Sequence, residues 1–223
     1  MLASINSMPC DPVPAFPWPH AGHRNFSTTF PSRKNRRSLR CGTRLQADYC
    51  VHLEHDADVE QYWALPHAFT WTTASDKHRY TPHFLIANRD GGGCYCEVQT
   101  SFAQLPAQRM ETRLAFATLC REQGWRFHCV TDPDVHGPTF ATLQKLYLRS
   151  LATSADELAA CLQRLPELCW PATFREVLNS HPAPPSLAAL CSCLFLGHLQ
   201  ADLSQALDLN LMIRGPTRES EGG

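Results

Sequence analysis

Hydrophobic positions along this chain recur with a helical period in some stretches and crowd into short β-branched and aromatic runs in others. In residues 43–55, Leu45, Tyr49, Cys50 and Leu53 fall at helical spacing, which predicts an amphipathic helix ended by Asp56-Ala57-Asp58. Gln61 to Pro66 leads into Ala68-Phe69-Thr70-Trp71-Thr72, whose aromatic and β-branched content predicts a strand. Thr73 to His78 turns the chain into a second strand over 79–86. The turn Asp90-Gly91-Gly92-Gly93 then sends it back through a third strand over 94–99, a hairpin signal. Met110, Leu114, Phe116 and Ala117 share one face of a helix over 107–123, stopped by Gly124, and Arg126 to Thr131 reads as a further strand.

After Pro138 the pattern changes. Phe140 to Leu151 is helical. Ser154, with Asp156 and Glu157 in the first turn, opens a helix through Leu165. Thr173 and Glu176 form a capping-box pair for a short helix through Leu178, broken by Pro182, Pro184 and Pro185. Ser186 caps a helix through Leu196, and His198 to Leu203 reads as a short strand pair or wing. Short helices followed by a wing predict a winged-helix-like domain over 138–213, behind an α/β core over 31–137. Residues 1–30, with Pro9, Pro12, Pro14, Pro17 and Pro19 in quick succession, read as an arm or a disordered segment. Residues 214–223 form a polar, loose tail.

Charge changes this picture only locally. Twenty Lys and Arg oppose 21 Asp and Glu, so no global field points to nucleic acid. The exception is a basic run, Arg33, Lys34, Arg36 and Arg37 with Arg40, which is either a solvated lead-in to the core or a set of phosphate contacts. Arg149, Arg164 and Arg175 are the corresponding candidates in the C-terminal domain. No apolar run approaches the ~20 residues of a membrane span, and the Pro-rich N-terminus lacks the order of a signal peptide. Eleven scattered cysteines include no Cys-x-x-Cys pair. They read as small buried thiols in a reducing cytoplasm rather than as zinc ligands.

The chemistry concentrates in residues 79–99. Arg79-Tyr80-Thr81-Pro82-His83-Phe84-Leu85 precedes the glycine turn, and Glu97-Val98-Gln99 follows it. With Phe30-Pro31-Ser32-Arg33-Lys34-Asn35, Asp48-Tyr49-Cys50, Asp56-Ala57-Asp58-Val59 and Ala201-Asp202-Leu203-Ser204, these blocks resemble, in order and spacing, TnsA-type transposon endonucleases over about 30–213. The resemblance implies an α/β fold: a restriction-endonuclease-like core, a mixed sheet flanked by helices, followed by a small winged-helix-like domain. It implies Mg²⁺-dependent cutting at the 5′ ends of a transposon, beside a DDE-type transposase and an AAA+ ATPase regulator, on double-stranded DNA and away from membranes, in the cytoplasm at the nucleoid.

Carried over position by position, the family's helix Glu falls on Gln46, its Asp on His83, its Glu on Glu97 and its Lys on Gln99, and a Gln-Pro pair becomes Leu65-Pro66. Only Glu97 keeps its type. Mg²⁺ prefers carboxylate and water oxygens, whereas Gln46 offers a neutral carbonyl and His83 a nitrogen better suited to Mn²⁺ or Zn²⁺. Gln99 carries no charge to stabilise the phosphate in flight. Losses of this kind cost on the order of 10²–10³ in rate apiece. The expectation is therefore a TnsA-like subunit with a lost or impaired nuclease centre. The alternative is an active endonuclease whose metal site is rebuilt on His83 and Glu97. In the nearby group His52, Glu54, His55 and Asp56, Glu54 reads as a solvated helix-end residue.

Overall fold

The computed structural model describes residues 28–72 and 77–216. The Pro-rich stretch up to residue 27, the first four residues of the expected 73–78 turn and the tail from residue 217 lie outside the described residues. The chain divides into two compact units, one ending at Val135 and one beginning at His136.

The first unit opens with an antiparallel hairpin, β1 (Thr28–Ser32) and β2 (Arg37–Cys41). Its buried positions alternate as a half-buried ribbon requires: Phe30 faces Leu39 across the pair, and Ser32 and Cys41 are also buried. The basic run expected as a lead-in is the turn of this hairpin, with Arg36 at φ 52°.

Helix α1 (Arg44–His55) follows, capped by the Thr43 hydroxyl, which accepts the Gln46 N–H at 3.2 Å. Strand β3 (Val59–Ala64) occupies the segment read only as a lead-in. A register shift between Val59 and Gln61 interrupts its alternation and hides it from a period-2 search. Strands β4 (Phe69–Thr72) and β5 (Lys77–Tyr80) form a separate hairpin. The strand expected over 79–86 is thus two pieces, β5 and β6 (Phe84–Asn88), divided by Thr81-Pro82-His83. Pro82 has no N–H for a ladder, so the chain leaves one sheet there and enters another.

The central sheet is completed by β7 (Gly93–Gln99) and β8 (Arg126–Thr131), with α2 (Ala107–Glu122) crossing between them. Its order is β3-β6-β7-β8. The first three strands are antiparallel, and β8 runs parallel to β7, which a crossover helix permits. Tyr62, Phe84, Cys96 and Val98 are buried, and the Tyr49 ring of α1 meets Phe84 at 5.6 Å. Trp63, Leu85 and Tyr95 join Phe116 and Cys120 of α2 in an aromatic cluster that also takes in Phe69, Trp71, Tyr80 and Phe127. The unit ends in the short α3 (Asp132–Val135).

The second unit contains α4 (Phe140–Ser150), α5 (Ala155–Arg164), β9 (Ala172–Thr173), α6 (Phe174–Leu178), α7 (Leu187–Phe195), β10 (Gln200–Ala201) and β11 (Met212–Arg214). Capping boxes at Ser154/Glu157 and Thr173/Glu176 fix two helix starts. The apolar α7 packs on α4 and α5, with Leu146, Tyr147, Leu190 and Phe195 wholly buried. The three short strands pair in the order β10-β11-β9. Arg214, expected in the loose tail, is the last residue of β11. The molecule is thus an α/β protein with a mixed sheet flanked by helices. Among the described residues no helix is long and apolar enough to cross a membrane.

Candidate functional site

An open groove of about 630 Å³ lies in the first unit, between the β5–β6 junction, the end of β7 and the first turns of α2. The register of β6 on β7 pairs Phe84 with Cys96, which sets His83 opposite Glu97 at the groove floor. Gln99 and Tyr80 reach the same space, and α2 contributes Gln108, Arg109, Glu111 and Thr112. Lys77 and Arg79 of β5 complete the rim.

Glu97 is 6% exposed, and both its oxygens have internal partners. Oε2 accepts the Tyr80 hydroxyl at 2.5 Å, and Oε1 accepts the Gln99 amide at 3.1 Å. Burial, reinforced by the Glu97 carboxylate, pushes the Tyr80 phenol far above its ordinary range, so it remains a donor. Tyr80 is also held by stacking on Phe116, with ring centroids 4.4 Å apart. The His83 imidazole accepts the Val98 N–H at Nδ1, at 3.0 Å. That bond fixes a neutral ring with its proton on Nε2. Burial holds His83 below the ordinary histidine value. Glu97 opposes that shift and Arg109 adds to it.

Three of the four family-equivalent positions, His83, Glu97 and Gln99, therefore share the groove. Gln46 does not line it. It is 3% exposed, and its Oε1 accepts the Gly42 N–H at 2.8 Å, closing the turn into α1. Among the described residues no three His, Cys, Asp or Glu side chains converge as a metal site. The two that come closest to the expected site are His83, whose Nδ1 accepts from Val98, and Glu97, whose two oxygens accept from Tyr80 and Gln99. One carboxylate and one neutral imidazole supply too few oxygen donors to fit Mg²⁺.

The basic run divides in the same way. Lys34 Nζ donates to the carbonyl oxygens of Asp56 and Val59, the latter at 2.6 Å, and burial lowers its pKa. These bonds clamp the hairpin turn to the segment between α1 and β3. Arg36 on the hairpin turn and Arg37 at the start of β2 are exposed, and Arg33 is partly buried.

Glu54 is the largest correction. It is 3% exposed, not solvated. Its Oε1 accepts the Ser32 hydroxyl at 2.5 Å and the Tyr62 hydroxyl at 2.7 Å, and its Oε2 accepts the backbone N–H groups of Arg33 and Lys34, each at 3.2 Å. This carboxylate pins the first hairpin to α1 and β3.

Sequence reasoning missed Lys77, Tyr80, Arg109 and Thr112 as groove residues. The available signal was position: Tyr80 lies three residues before His83, and Arg109 and Thr112 open the helix that follows Glu97-Val98-Gln99. The cysteines form no three-ligand cluster among the described residues; Cys41 and Cys50 approach to 3.8 Å, and Cys161 and Cys193 to 3.5 Å. No protein-family model matches this chain, and no curated protein matches it significantly.

Proposed function

We propose that this chain is a TnsA-like subunit of a DNA transposition system that has kept a nuclease-type core and lost its catalytic metal centre. One observation carries the reading: the retained Glu97 is closed by Tyr80 and Gln99 within a groove where a nuclease would hold metal. The element order supports it. A helix, a three-stranded antiparallel meander, a crossover helix and a fourth strand parallel to the third make the arrangement expected of a restriction-endonuclease-like core. His83 stands at the head of the second core strand and Glu97-x-Gln99 at the end of the third, as the resemblance requires. The second unit, with its short helices and three small strands, is compatible with a winged-helix-like module.

In this reading the protein acts in assembly. It associates with duplex DNA at transposon ends and with a DDE-type transposase and an AAA+ regulator, without cutting. The test is nicking of supercoiled plasmid and of transposon-end duplex in Mg²⁺ and in Mn²⁺, beside the variant Gln46→Glu/His83→Asp/Gln99→Lys. The native chain is expected to leave both substrates intact. Cleavage by the native chain that disappears in Glu97→Ala would overturn the proposal and establish a rebuilt metal site.

A further inference from the structure

Helix α2 carries two cations one turn apart, Arg109 and Arg113, and among the described residues neither makes an ion pair with a carboxylate. Arg113 is satisfied by unusually poor partners. Its Nη1 donates to Cys129 Sγ at 3.0 Å and its Nη2 to Met110 Sδ at 2.8 Å. Its Cζ lies 4.6 Å from the centroid of the Phe102 ring, and its buried Nε has no partner at all. Thioether and thiol sulfurs are weak acceptors, so the fold supplies this guanidinium with no counter-anion. Residues at i and i+4 share a helix face, and like charges there repel unless something neutralises them.

Arg109 is exposed and lines the groove, where Lys77 and Arg79 stand across from it on β5. The groove carboxylates are Glu97, held by Tyr80 and Gln99, and Glu111. The remaining polar atom of the His83 ring is its Nε2–H, a donor. A groove lined by Lys77, Arg79 and Arg109, with a neutral imidazole donor among them, offers an anion both charge and a hydrogen bond.

We propose that this groove holds the phosphodiester backbone of duplex DNA without a metal ion, with Arg109 and Lys77 supplying the charge and His83 Nε2–H a hydrogen bond. The proposal rests on the DNA-associated reading above and adds to it the site and its chemistry. Where a nuclease neutralises phosphate with bound cations, fixed guanidinium and ammonium groups serve here. No bond is broken, so no nucleophile or leaving group is involved.

The test is fluorescence anisotropy of a labelled transposon-end duplex with the full chain, in EDTA and in Mg²⁺, across a salt series. The expected result is binding that EDTA leaves unchanged and that weakens steeply with salt. Arg109→Glu/Lys77→Glu is expected to weaken it by roughly 10–100-fold and to flatten the salt dependence. Arg36→Glu/Arg37→Glu, on the β1–β2 hairpin, is expected to change it far less. Both pairs are exposed, so the melting temperature should hold and serves as the folding control. Binding that vanishes in EDTA would overturn the proposal. So would affinity that follows Arg36 and Arg37 and ignores the groove, an outcome that leaves the DNA-associated reading standing. Absence of any duplex binding by the native chain would overturn both.

Discussion

Two buried carboxylates in the first unit, Glu54 and Glu97, have nearly equal exposure and opposite settings. Glu54 accepts four hydrogen bonds, two from backbone N–H groups and two from hydroxyls, and the hairpin, α1 and β3 all converge on it. Glu97 accepts two, both from side chains, at the edge of an open groove. The first is a structural anchor whose donors have nowhere else to turn. The second lines an open groove that solvent reaches. Burial alone therefore does not separate structure from function; the partners and the adjoining space do.

The sharpest way to break this comparison is to delete each carboxylate. Glu54→Ala orphans two hydroxyls and two backbone donors and should cost about 4 kcal/mol in urea unfolding. Glu97→Ala should cost about 1 kcal/mol, because water in the groove can replace the lost acceptor. Equal losses would contradict the distinction.

Removing one donor from each side sharpens it. Tyr62→Phe takes a hydroxyl from a wholly buried ring and leaves Glu54 short of a partner, for a loss of about 2 kcal/mol. Tyr80→Phe should lose under about 1 kcal/mol. It should also free Glu97 Oε2, which a rise in Mn²⁺ affinity would report.

Acidification gives a smaller, graded effect. Burial lowers the pKa of His67, His83 and His128, so each is held neutral in the folded state. The unfolded chain binds these protons more readily. Their contribution is intact above the ordinary value of about 6.5 and is lost as pH falls from there toward the lowered folded values. The melting temperature should drop between pH 7.5 and 5.5, and His83→Gln should flatten that slope.

The smallest effect is expected on the hairpin turn. Arg36→Ala should change stability by less than about 0.5 kcal/mol, whereas Lys34→Met should cost about 1 kcal/mol through its lost carbonyl contacts.

What the sequence revealed follows from what is local. Helices α1, α2, α4, α5 and α7 and strands β7 and β8 carry their own period or cap and lie close to where the pattern puts them. The β1–β2 hairpin escaped because Phe30, Leu39 and Cys41 are few among charged residues, and β3 because its bulge breaks the alternation. The division at Pro82 was visible as a proline yet read through as one strand. Glu54 was misread because its donors come from residues 8 and 20 to 22 positions away, a pairing that no local period encodes. The groove was partly legible: the glycine turn and strand register bring His83 and Glu97 together, whereas Gln46, separated from them by β3, β4 and β5, turns to its own helix cap.

The most direct test of the central account is a Mn²⁺ titration followed by paramagnetic broadening of the amide resonances of Val98 and Gln99, in the native chain and in Glu97→Ala. No broadening selective for these two amides is expected, because one hydrogen-bonded carboxylate and one neutral imidazole are too few donors to hold the ion. Selective broadening that Glu97→Ala abolishes would contradict that expectation and restore this groove as a metal centre.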